Sequence, residues 1–167
     1  MPFRKSCLVA VALLLAGCGG GSDKWRQNRP KLSPASGTIL FNGAPLGDAV
    51  VMLYPVGGTH SASAQTDSSG RFVLTTFDQH DGAVAGDYQV SVIKARVEYE
   101  PDPENPRTSP PMYHAEQSLI PETYGDQAKS DLKATIPTDG PADLKFELVG
   151  KEGKLKVLAD RRGKRSS

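Results

Sequence analysis

Two thiols, three imidazoles and a scatter of carboxylates are the groups in this chain that could carry chemistry. The imidazoles are His60, His80 and His114, each in a stretch of turn-forming composition. Asp78, His80 and Asp81 lie close enough in sequence to share a metal ion, yet a polar surface loop accounts for the same spacing. Asp67-Ser68-Ser69-Gly70 opens in the manner of a calcium loop. It lacks the further acids at alternate positions and the closing glutamate that such loops use, so a hairpin turn explains it better. The chain shows no serine nucleophile elbow and no phosphate-cradling glycine loop. No catalytic, cofactor-binding or metal-ligating residue is therefore assigned, and no cofactor is expected.

The thiols are more informative. Arg4 and Lys5 precede an apolar run from Cys7 to Leu15, which ends in Ala16-Gly17-Cys18. A short basic region, an apolar stretch and small residues at a cut site make a secretory signal. The run is too short for a membrane span, which needs roughly 20 apolar residues. Leu15-Ala16-Gly17-Cys18 resembles the lipobox of bacterial lipoproteins. Small side chains admit the peptidase to the Gly17–Cys18 bond, and the Cys18 thiol accepts the diacylglycerol. The resemblance implies cleavage after residue 17, acylation of Cys18 with chains such as palmitate, and attachment to a membrane of the cell envelope. Gly19 stands where the enteric sorting rule reads aspartate as inner-membrane retention, so the outer membrane is favoured. With Cys7 removed and Cys18 acylated, the mature chain has neither a free thiol nor a disulfide.

Cleavage leaves 150 residues, enough for one domain with tails. Residues 18–34 read as a flexible tether that opens Gly19-Gly20-Gly21-Ser22 and spans on the order of 20–25 Å. Its Trp25 suits either a membrane interface or a place against the domain. Charge is distributed unevenly. Residues 23–31 carry four bases and one acid, residues 32–150 seven bases and sixteen acids, and residues 151–167 seven bases and two acids. An acidic body thus sits between basic ends, which could lie along anionic headgroups. Export argues against nucleic acid as a partner of the basic tail.

The body reads as strands. Helical periodicity is absent, and glycine, proline and Asx-Gly turns recur at short intervals. Gly37–Phe41 is a first strand, followed by an Asn42-Gly43 turn. Ala49, Val51 and Leu53 alternate before Pro55, and a shorter strand runs through 64–66. Phe72, Leu74 and Thr76, then Tyr88, Val90 and Val92, then Leu132, Ala134 and Ile136, then Leu144, Phe146 and Leu148 alternate in turn. About seven short strands, each with one apolar face, predict an antiparallel β-sandwich over 35–150. Residues 97–118 break the rhythm with five prolines and several acids, and their composition predicts a disordered insert. Residues 151–167 read as a basic tail.

Gly37-x-Ile39, Asn42-Gly43-x-Pro45-Leu46-x-Asp48-Ala49-x-Val51, Thr66-Asp67-x-x-Gly70-x-Phe72 and Gly86-x-Tyr88-x-Val90-x-Val92 occur in order. This series resembles the carboxypeptidase regulatory-like domain, a transthyretin (prealbumin)-like sandwich. Ile120-Pro121-Glu122-Thr123-Tyr124-Gly125 and Ser130-Asp131-Leu132 are similar to the closing segments of small planctomycete lipoproteins. The resemblance implies a scaffold rather than a reaction, since every motif residue has a structural role. It implies a non-catalytic module that meets a protein or glycan at the envelope, with 97–118 as the candidate contact. The rivals are an accessory subunit or metal-dependent enzyme using the His80 loop, and a small-ligand carrier of transthyretin type. The terminal Tyr-Arg-Gly-Ser of the related hydroxyisourate hydrolases is missing. The lysine and asparagine of an adhesin isopeptide bond are also missing from the first strand and from 144–149.

Overall fold

The computed structural model describes residues 28–164. Gly17, Cys18 and Trp25 lie outside the described residues, so the signal, the acylation site and most of the tether do too. The chain divides into a unit of residues 1–30 and a unit of residues 31–167, and the fold described below is that of the second.

The second unit is an all-β sandwich. Its strands are β1 (Leu32–Ser33), β2 (Ala35–Phe41), β3 (Ala44–Pro45), β4 (Val50–Pro55), β5 (Ala62–Gln65), β6 (Arg71–Val73) and β7 (Ala83–Val84). They continue as β8 (Gly86–Ile93), β9 (Ala95–Glu100), β10 (Tyr113–Ser118), β11 (Lys133–Ile136), β12 (Ala142–Leu148) and β13 (Lys156–Asp160). One layer places β2 between β12 and the pair β3 and β6. The other runs β11-β8-β4-β5. A bridge between Ser63 and Thr75 links β5 to the stretch after β6 and draws the layers together along one side.

Alternation puts the apolar face of the longer sandwich strands inward. Ile39, Ala49, Val51, Leu53, Leu74, Val90, Val92 and Leu148 are fully buried, and Phe72 stacks on Phe146 with ring centres 6.3 Å apart. The Asn42-Gly43 turn has φ of 50° and 82°, the two positive values that a tight hairpin needs, and it joins β2 to β3. Thr66 locks the approach to β4: its Oγ1 donates to the Leu46 carbonyl at 2.7 Å and accepts from Ala49 N–H at 2.8 Å. Tyr88 buries its ring and donates its hydroxyl to the Val84 carbonyl at 2.7 Å.

Leu32 and Ser33, at the end of the expected flexible tether, form β1 and pair with Val84 and Ala83 of β7, so the folded part begins before residue 35. Three further features differ from the sequence expectation. First, the sandwich is not wholly antiparallel, because β12 runs parallel to β2 from Ala142↔Ala35 to Leu148↔Phe41. A parallel pair needs a long crossover, and here the rest of the sandwich is the crossover. Second, residues 97–118 are not a disordered insert. β9 and β10 pair antiparallel from Tyr113↔Glu100 to Ser118↔Ala95, and the prolines fall in the tip between them and at its ends. Third, residues 151–167 are more than a basic tail. β13 pairs with β10 across a bulge at His114/Ala115 and completes a three-stranded sheet, β13-β10-β9. Since β9 follows β8 after Lys94 alone, this sheet extends from the sandwich at that strand.

Candidate functional site

The histidine loops resolve into structural turns. Both carboxylate oxygens of Asp81 accept from the loop's own backbone: Oδ1 from Thr76 N–H at 2.7 Å, and Oδ2 from Phe77 N–H at 3.0 Å and Asp78 N–H at 2.7 Å. Burial pushes the Asp81 carboxyl up, but the surrounding backbone N–H groups outweigh it and hold the group below the usual carboxylate range. His80 sits at φ 60° with its N–H on Thr75 Oγ1. His60 lies edge-on to Phe77 at 5.2 Å, which brings its loop beside the Asp78–Asp81 loop. Among the described residues no three histidine, aspartate, glutamate or cysteine side chains gather as a metal-binding group. Asp67 folds its turn in the same manner, accepting from Ser69 N–H, Ser69 Oγ and Arg71 N–H. Those bonds, that from the Ser69 hydroxyl foremost, keep its carboxyl low.

His114 belongs to a different place, the middle strand of the three-stranded sheet. Its Nε2 lies 3.0 Å from Glu116 Oε1, and its ring meets Tyr99 edge-on at 5.7 Å. Next to this pair is a cleft of about 250 Å³, lined in part by Ile93, Ala95, Glu116, Glu122, Gly125 and Lys156. Four segments build it. The β8–β9 junction supplies the apolar floor, β10 supplies Glu116, and the turn at Glu122–Gly125 lies against β8. Lys156 comes from β13 and pairs with Glu122 at 2.7 Å. Gln117 reaches the Gly153 carbonyl at 3.2 Å and so ties the start of the tail to β10.

The cleft sets charged groups with partners of their own, Glu116 on His114 and Glu122 on Lys156, beside apolar side chains. It offers two carboxylates and an ammonium within one small concavity, with Val92, Ile93 and Ala95 as apolar contacts. Its one hydroxyl, that of Ser118, donates to the Ile120 carbonyl at 2.7 Å. Exposed apolar side chains are frequent on the three-stranded sheet as a whole. Five of the ten large hydrophobic side chains exposed among the described residues are Val97, Tyr99, Leu155, Val157 and Leu158, all on or next to this sheet.

The basic tail is partly committed here. Arg162 stacks over the Tyr113 ring at 3.6 Å and pairs with Asp160 at 3.0 Å, while Arg161 donates to the Pro110 carbonyl at 3.0 Å. Glu122 and Lys156 carried no signal in the sequence as site residues. Only the motif at 120–125 hinted at their neighbourhood.

Neither a scan against protein-family models nor a search of curated proteins finds a match for the chain. Among solved structures, a 9R-lipoxygenase from Cyanothece PCC8801 is similar over 74% of this chain at 21% identity, with a TM-score of 0.35. The chain spans 17% of that protein's length, and a likeness of this size carries neither fold nor function.

Proposed function

We propose that this chain is a membrane-anchored lipoprotein, acylated at Cys18 after cleavage beyond Gly17. Its sandwich is a non-catalytic module of the carboxypeptidase regulatory-like, transthyretin-like kind that binds a protein or glycan partner at the cell envelope. The lipobox pattern supports the anchor, and the ordered turn and strand motifs within an all-β sandwich support the family likeness. The observation that carries the binding role is the cleft of about 250 Å³ on a three-stranded sheet whose strands also expose Val97, Tyr99, Val157 and Leu158. Apolar side chains exposed together on one sheet are a common mark of an interaction site.

The test uses the full chain in a bacterial host with an outer membrane. Cys18→Ala is expected to abolish acyl labelling and release the protein from membranes, and unchanged labelling would sink the anchor. In the same cells a photo-crosslinking residue at Lys156, which lines the cleft, is expected to give a discrete adduct. One at Thr135, on the outer face of β11, is not. Equal adducts from both positions would remove the site assignment while leaving the anchor untouched.

A further inference from the structure

β9 ends the three-stranded sheet, and all six of its residues are exposed. Among the described residues no strand pairs with its outer edge. The Lys94 carbonyl accepts from Leu119 N–H, and the Glu100 carbonyl from Met112 N–H, both at 2.8 Å. In an antiparallel ladder alternate residues turn their backbone groups to the same neighbour. Arg96 and Glu98 therefore bond toward β10 with Lys94 and Glu100. The N–H and C=O groups of Ala95, Val97 and Tyr99 face the open edge, a template for another strand.

Charge on an edge strand ordinarily repels a second strand. On β9 it is ordered so that it attracts one. Basic Arg96 comes before acidic Glu98 and Glu100, and the apolar residues Ala95, Val97 and Tyr99 occupy the other face. We propose that a second copy of this chain pairs with the first through β9, antiparallel, about a two-fold axis at Val97. In that register Val97 meets Val97 of the second copy, Ala95 meets Tyr99, and Arg96 meets Glu98, each of the last two twice by symmetry. The open backbone groups require odd residues to meet odd residues. The neighbouring registers that satisfy this place Glu98 against itself or Arg96 against itself, so charge selects the axis at Val97. Lys94 adds little, because its amine already donates to the Gly47 carbonyl at 2.6 Å. Pro101 has no N–H and closes the ladder after Glu100. A single edge of six residues is a small contact, so the pairing is weak and reversible. It depends on neither the lipid anchor nor the cleft.

Cross-linking of the full chain tests this. Val97→Cys places two thiols across the axis at about 5.5 Å between Cα atoms, within reach of a disulfide. Mild oxidation is expected to give a linked dimer well above the parent chain, which controls for Cys7 and Cys18, and above Leu155→Cys. Adding Arg96→Glu turns two attractive cross-strand pairs repulsive and is expected to slow linking by on the order of tenfold. Arg96→Glu together with Glu98→Arg restores it. Mixing Arg96→Glu chains with Glu98→Arg chains restores it too, which requires that both single variants fold. Linking no better than that of Leu155→Cys, linking indifferent to the charge changes, or no rescue by either route would overturn the pairing.

Discussion

Gly37 sits at the centre of β2, opposite Leu144 of β12 on one side and Phe72 of β6 on the other. A Cβ at this position would fall against the Leu144 carbonyl oxygen, 2.6 Å from Phe72 Cζ and 2.9 Å from Leu144 Cβ. Ordinary contact begins near 3.4 Å, so something must give by a substantial fraction of an ångström. Two of the three neighbours resist. The carbonyl belongs to the strand paired with β2, and Phe72 is 3% exposed and stacked on Phe146. Overpacking of this kind costs about 1–3 kcal/mol, and the backbone neighbour places Gly37→Ala at the upper end. Replacing a strand glycine returns about 0.5–1 kcal/mol. The net expectation is a loss of about 2 kcal/mol. With a urea slope of about 1–3 kcal/mol per molar, the unfolding midpoint drops by roughly 1 M, read by far-ultraviolet circular dichroism. Gly163→Ala is the control, since nothing lies within 4 Å of its added Cβ. Phe72→Leu in the Gly37→Ala background should recover part of the loss, because the ring end retreats while the carbonyl stays. A Gly37→Ala midpoint within about 0.3 M of the parent would refute the close-packing account.

Two further outcomes follow from single side chains. Asp81→Ala removes the acceptor of three backbone N–H groups, and by analogy with helix caps is expected to cost about 1–2 kcal/mol. Because the folded carboxyl titrates below its ordinary value, its contribution is complete above the ordinary carboxylate range and fades as pH falls through the lower folded value. The variant's deficit should therefore shrink on acidification, and a deficit constant down to the acid transition would contradict this. Tyr88→Phe is expected to cost about 1 kcal/mol by stranding the Val84 carbonyl. Burial raises the Tyr88 phenol, so its stabilisation holds below about pH 10 and is lost as pH rises through the folded value. The parent chain should consequently lose stability there faster than the variant, and parallel alkaline curves would remove the phenol as the cause.

The sandwich was legible because its signals are local. Ala49, Val51 and Leu53 alternate along one strand, and Asn42-Gly43 supplies its own positive φ values, so neither depends on distant partners. The parallel pairing of β12 with β2 was not legible. Strand direction within a layer is set by how many times the chain crosses between layers, and no residue of β12 records that. The second sheet was hidden by averaging. Over 97–118 the prolines dominate the composition, but they sit at 101, 103, 106, 110 and 111, between β9 and β10. Val97-Glu98-Tyr99-Glu100 alternates as a strand should once the tip is set aside.

The cleft was invisible for a stricter reason. Ile93, Glu116, Glu122 and Lys156 come from segments up to 63 residues apart, each ordinary in its own surroundings, and only the pairing of β10 with β9 and β13 and the packing of the 122–125 turn on β8 bring them together. That same step changes the meaning of the charge asymmetry. Read as a free tail, residues 151–167 would offer seven bases to an anionic surface. Folded, Lys156 pairs with Glu122, Arg161 holds the Pro110 carbonyl and Arg162 lies between Asp160 and Tyr113. The acidic body has drawn in part of its own basic end. On the proposed reading, attraction to lipid headgroups is then shared between the remaining bases of the tail and Lys24, Arg26 and Arg29 of the tether that Cys18 begins.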